Sequence, residues 1–151
     1  MDKKISEKLE LFNQVIEHID DLYYRYATSF GITDTELCVL YALKEHNGEY
    51  LQSDICKQWS CSLQTIHTTI KGMEKKGLIE LICKPDNKKN KYIHLTDKGA
   101  ILTDRIMNPL SEAEAEAFAA LTSQEQEILL PLIQKYADVL EQAINKRKES
   151  L

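Results

Sequence analysis

The chain has 151 residues and a formal net charge of −5, from 19 basic and 24 acidic side chains. That length suits one domain of ordinary size, able to bury a core without disulfide or metal staples. Four cysteines with no CxxC pair, and no apolar run near the roughly 20 residues of a membrane span, argue against a disulfide scaffold and a membrane-spanning helix. With no secretory signal at the start, a soluble cytoplasmic protein with reduced thiols is the expectation.

The charge is unevenly spread. Residues 57–98 hold nine lysines against four acids, a local +5 that leaves −10 for the rest. A basic middle on an acidic body is either a solvated face or a phosphate-contacting surface.

In chain order, Ile5, Leu9, Phe12, Ile16, Ile19, Tyr23, Tyr26 and Phe30 alternate steps of four and three. This heptad-like stripe predicts a long first helix that wants a partner along its length, ended by Gly31. Thr33 and Glu36 form a capping box that opens a second helix, with Leu37, Leu40, Tyr41 and Leu43 as its apolar positions. Asn47-Gly48 closes it. A short helix is expected over Gln52–Trp59, then a break at Ser60-Cys61-Ser62, then a helix over Leu63–Lys76 stopped by Gly77.

The period then changes. Leu78–Ile82 and Lys91–Leu95 read as strands, and the polar Lys84–Asn90 stretch between them reads as a lysine-rich turn. Thr96 caps a long helix through Ile101, Ile106 and Leu110. Pro109 should kink it or end a segment, with Ser111 and Glu114 offering a fresh cap. Thr122 and Glu125 open the last helix, whose apolar face is Leu129, Leu132, Ile133, Tyr136, Leu140 and Ile144. The fold class is mainly α (α+β).

Two short helices joined by a tight turn, followed by a basic hairpin, make a winged helix-turn-helix. The second helix of such a pair lies in the DNA major groove. Leu63, Ile66, Ile70 and Met73 share one face, assigned to the core. Gln64, Thr68, Lys71 and Lys75 lie opposite, flanked by Ser62, Thr65 and His67. Gln pairs bidentately with adenine, and Thr bonds a base edge or touches the thymine methyl. Lysines farther along suit phosphates.

Several motifs resemble the MarR family (multiple-antibiotic-resistance regulators). Thr69-Ile70-Lys71-Gly72-Met73-Glu74-Lys75-Lys76-Gly77-Leu78-Ile79 resembles the end of the family's recognition helix. Asp86-Asn87-Lys88-Lys89-Asn90-Lys91 is similar to the wing pattern D-x-R-x-x-R, with Lys88 and Lys91 standing where arginines are usual. Leu95-Thr96-Asp97-Lys98-Gly99 resembles the L-T-x-x-G after the wing, and Gly31-Ile32-Thr33 with Val39-Leu40 the entry to the second helix. The resemblance spans nearly the whole chain.

It implies a homodimer, with residues 1–31 and 99–151 as a helical dimerisation region and 33–98 as the DNA-binding lobe. It also implies a repressor that reads a palindromic operator in double-stranded DNA and is released by a small molecule or a redox signal. The DNA-binding residues implied are Ser62, Gln64, Thr65, His67, Thr68, Lys71 and Lys75 on the helix, and Asp86, Lys88, Lys89 and Lys91 on the wing. Thr68 takes a place where relatives often carry arginine.

Tyr24, next to the stripe, is a candidate effector contact, whereas Tyr23 and Tyr26 belong to the stripe and are assigned to dimer packing. Cys56 and Cys61 flank the turn of the DNA-binding unit, either as an oxidant sensor or as buried structural thiols. His18, His46, His67 and His94 are scattered and show no ligand spacing, so no metal or cofactor is expected. There is no Gly-rich phosphate loop, G-x-S-x-G or H-E-x-x-H, which argues against an enzyme. The alternative is a helical protein–protein adaptor whose hairpin is structural.

Overall fold

The structure is a computed structural model. It describes residues 3–47, 49–59, 62–84 and 87–149, with the side chains of 84 and 87–90 outside the description. Its elements run α1 (Lys3–Ser29), α2 (Asp34–Glu45), β1 (Glu49–Leu51), α3 (Gln52–Gln58), α4 (Leu63–Lys75), β2 (Ile79–Lys84), β3 (Asn87–Leu95), α5 (Asp97–Ala119) and α6 (Ser123–Lys148). By its contacts the chain forms two compact units, 1–108 and 109–151.

The helix ends follow from local chemistry. Helix α1 stops where Gly31 takes φ +69°. There the Ile32 N–H reaches back to the Ala27 carbonyl and the Gly31 N–H to Thr28, satisfying carbonyls the helix leaves open. Gly77 ends α4 with the same bonding, from Leu78 to Met73 and from Gly77 to Glu74. The Thr33–Glu36 and Thr122–Glu125 capping boxes are both formed.

In the first unit, α2 supplies Leu37, Val39, Leu40, Ala42 and Leu43 to the core. Ile55 of α3, Ile66, Ile70 and Met73 of α4, Ile79 and Ile93 of the sheet, and Ile106 and Met107 of α5 are buried as well. The second unit holds the end of α5 and all of α6. There the Gln126 amide donates to the Phe118 and Leu121 carbonyls, closing the end of α5 against the start of α6.

Three sequence expectations change. The hairpin is a three-stranded antiparallel sheet in the order β1-β3-β2, because Glu49–Leu51 pairs with Tyr92–His94. Strands β2 and β3 also reach into the expected turn, with Cys83 opposite Lys91, Lys84 opposite Asn87, and a break in register between them. Backbone pairing there outweighs the turn preference of the polar residues. Helix α5 does not end at Pro109, and Ser111 and Glu114 lie inside it rather than at a new cap. Proline removes one backbone N–H, and the bonds on either side carry the helix through.

A candidate nucleic-acid interface

Ser62 is the N-cap of α4, in an extended conformation, and its Oγ accepts from the Thr65 N–H at 3.0 Å. One face of α4 is closed to solvent, since Ile66, Ile70 and Met73 are fully buried. That face packs on α2, α3 and β2. Helical spacing therefore turns Gln64, Thr68, Lys71 and Lys75 outward, and all four are exposed, as are Thr65 and His67.

Leu63 does not belong with the core. It is 66% exposed although it stands three residues before Ile66 on the same row. Spacing alone therefore misplaces the first residue of α4.

The other end of α4 is fastened tightly. Glu36, 5% exposed, receives the Thr33 N–H at Oε2 and the Lys76 ammonium at Oε1, the latter at 2.6 Å. Lys98 Nζ donates to the Lys76 carbonyl and Thr96 Oγ1 to the Gly77 carbonyl. The Gly99 N–H donates to Thr96 Oγ1, which caps α5. These bonds tie the capping box of α2, the end of α4 and the start of α5 together. No sequence pattern pairs Glu36 with Lys76, because the partners are 40 residues apart.

Several lysines of the basic segment are thus engaged within the lobe: Lys76 with Glu36, Lys98 with a carbonyl, and Lys57 with Asp54. Lys71 and Lys75 on the helix and Lys91 on β3 are exposed. Lys88 and Lys89 fall on the backbone of β3 with side chains outside the description, and Asp86 lies outside the described residues.

The other candidates are dispersed. Cys56 is half-buried and its thiol donates to the Gln52 carbonyl one turn earlier, while Cys61 lies outside the described residues. His46 stacks on Tyr50, and His94 Nδ1 sits 3.6 Å from Glu80 Oε1 across the sheet. Tyr24 is exposed on α1. An open cleft of about 310 Å³ lies between the end of α2, β3 and the start of α5, with the Lys44–Asp104 ion pair, Asn47, His94 and Thr103 on its walls. Tyr24 does not line it.

A half-buried helix, capped by serine and followed by an antiparallel hairpin, is the architecture of winged-helix proteins. Residues 30–88, from the end of α1 into the wing, match the model of the MarR family. Over that stretch the chain is similar to the MarR family. The HTH-type transcriptional regulator YkoM of Bacillus subtilis is 27% identical over 125 residues, covering 83% of this chain and 80% of that protein. In structure, the MarR-family regulator NMB1585 of Neisseria meningitidis superposes with a TM-score of 0.78 at 21% identity, covering 93% of this chain and 98% of that one. The MepR–DNA complex of S. aureus gives 0.71 at 23% identity, covering 87% and 96%. The fold of those regulators is that of this chain, and the glycine of Leu95-Thr96-Asp97-Lys98-Gly99 has a steric reason here. A Cβ on Gly99 would stand 1.8 Å from the Leu78 carbonyl oxygen.

Proposed function

We propose that the protein is a dimeric transcriptional repressor that binds a palindromic DNA operator through α4 and the wing. The observation that carries this reading is the two-faced α4. Ile66, Ile70 and Met73 anchor one side, and Gln64, Thr68, Lys71 and Lys75 stand exposed on the other. Its N-terminal residues suit base edges, and the cations farther along it and on the wing suit phosphates. The −5 overall charge is no obstacle, since the interface needs a local positive surface.

Residues 33–98 act in this proposal as the DNA-binding lobe, and 1–31 with 99–151 as the dimerisation region. Ile5, Ile16, Ile19 and Tyr23 on α1 and Leu129, Leu132, Ile133 and Leu140 on α6 are exposed in the single chain. Two apolar stripes of that length exceed what monomers usually leave in water. Two copies then place two recognition helices on successive turns of one groove. A small molecule or a redox signal releases the operator, with Tyr24, or Cys56 and Cys61, as the candidate contacts.

Selection of bound duplexes from a random DNA pool tests the proposal. Enrichment of a palindrome with half-sites about 10 base pairs apart is expected from the dimer geometry. A pool that stays random after several rounds would overturn it.

A further inference from the structure

The first two turns of α4 expose hydrocarbon that the polar pattern of the sequence hides. Leu63, at the first helical position directly after the Ser62 N-cap, is 66% exposed. A single exposed leucine is ordinary in itself. The hydroxyls around it supply the second observation. Thr68 Oγ1 donates to the Gln64 carbonyl at 2.9 Å, and Thr69 Oγ1 to the Thr65 carbonyl at 3.0 Å. The Ser62 and Thr65 hydroxyls lie 2.7 Å apart and share a hydrogen between them.

A threonine whose hydroxyl proton is committed to its own helix offers a partner its γ-methyl and a remaining lone pair. It has no donor left for the acceptors on a guanine edge. Hydrogen-bond donation at this end of α4 therefore falls to Gln64, His67 and the one hydroxyl proton that the Ser62–Thr65 pair leaves over, while Leu63 and the Thr68 methyl present hydrocarbon. In the major groove the apolar group on a base edge is the C5-methyl of thymine. Given that α4 enters the major groove as proposed above, we infer that Leu63 and the Thr68 methyl select thymine by packing on its C5-methyl group. The two side chains are five residues apart, so they address separate bases of each half-site.

The test deletes the methyl groups one at a time from both sides. On the selected operator, each thymine is replaced by deoxyuridine, which loses the C5-methyl and keeps the base pair. Binding is then measured by fluorescence anisotropy for wild type, Leu63→Ala and Thr68→Ser, the last keeping the hydroxyl. Wild type should lose affinity several-fold at a thymine in each half-site. With Leu63→Ala that loss should vanish at one thymine and persist at the other, and Thr68→Ser should show the reverse. Thermal melts should place both variants close to wild type, since both side chains are exposed. Uracil tolerated at every position, or penalties unchanged in both variants, would overturn the inference while leaving DNA binding standing. An operator that cannot be selected at all overturns the DNA-binding proposal, and this inference falls with it.

Discussion

The Tyr26 hydroxyl donates to the Ile106 carbonyl at 2.6 Å, joining α1 to α5 three residues before Pro109. Proline gives no N–H to the Arg105 carbonyl, and its ring crowds the turn that contains Ile106. The Tyr26 bond puts a side-chain donor into that weakened turn. The spacing of the stripe assigns Tyr26 to dimer packing, yet its polar end is used within the chain.

Tyr26→Phe should therefore destabilise the protein by about 0.5–1.5 kcal/mol near neutral pH, the usual net worth of such a bond. Burial raises the Tyr26 hydroxyl above its ordinary value of 10.0. A raised value means that the stabilisation is fully present below pH 10. It is lost as pH climbs through the folded-state value, because the unfolded chain ionises first. Urea titrations of wild type and Tyr26→Phe at pH 8 and pH 10.5 should show the gap between them narrowing at the higher pH. A gap that widens there would refute the assignment.

Gly99 and Gly72 make opposite predictions for the same substitution. A Cβ at Gly99 meets the Leu78 carbonyl oxygen at 1.8 Å and its carbon at 2.8 Å, both backbone atoms that cannot turn aside. The same Leu78 oxygen accepts the Thr96 N–H at 3.1 Å. Gly99→Ala should cost about 3 kcal/mol, the upper end for overpacking, and lower the melting temperature. Gly72 lies inside α4, and a methyl added there would meet nothing within 4 Å. Gly72→Ala should raise stability by up to about 1 kcal/mol through helix propensity. Equal effects from the two would show that the Leu78 contact is unimportant.

The stripe on α1 should be needed for assembly. Ile16 and Ile19 are more than 40% exposed in the single chain, so aspartate at both positions leaves the core untouched. Light scattering at low micromolar concentration should report twice the chain mass for wild type and one chain mass for Ile16→Asp/Ile19→Asp. DNA affinity should fall with it, because two half-sites are then no longer read together. A soluble wild-type monomer would remove the dimer from the proposal.

Much of this is legible in the sequence, wherever the determining chemistry is local. Gly31 and Gly77 mark helix ends because the left-handed conformation they adopt suits glycine. Thr33 with Glu36 and Thr122 with Glu125 mark helix starts because each box closes within four residues. The helical period separates Ile66, Ile70 and Met73 from Gln64, Thr68 and Lys71. What escapes the sequence depends on distant partners. Strand β1 is three residues long and exists by pairing with β3, so it offers no alternation to detect. In sequence Lys76 is one more cation of the basic segment, and only the fold brings Glu36 beside it. Leu63 obeys the period and is exposed anyway, because a period reports direction around a helix and not burial. Gly99 does carry a signal, a glycine in the first turn of a helix, but the Leu78 carbonyl that demands it comes from another element.

The recognition helix and the wing should contribute differently to DNA binding. Gln64 is exposed in the first turn of α4, where an amide can make a bidentate contact to adenine. Gln64→Ala should cost about 1–3 kcal/mol on the selected operator and relax preference at one base pair per half-site. Lys91 is exposed on β3 opposite Cys83, and its ammonium lacks the planar fork of arginine. Lys91→Ala should weaken specific and random DNA alike. It should also reduce the slope of log affinity against log salt by about 0.9 for each lobe that loses a phosphate contact. Lys88, at the wing pattern's other basic position, should behave in the same way. Titrations at several salt concentrations, on the operator and on random duplex, separate the two behaviours. Base preference kept by Gln64→Ala but altered by Lys91→Ala would reverse the roles, making the wing the reader of sequence and α4 the anchor.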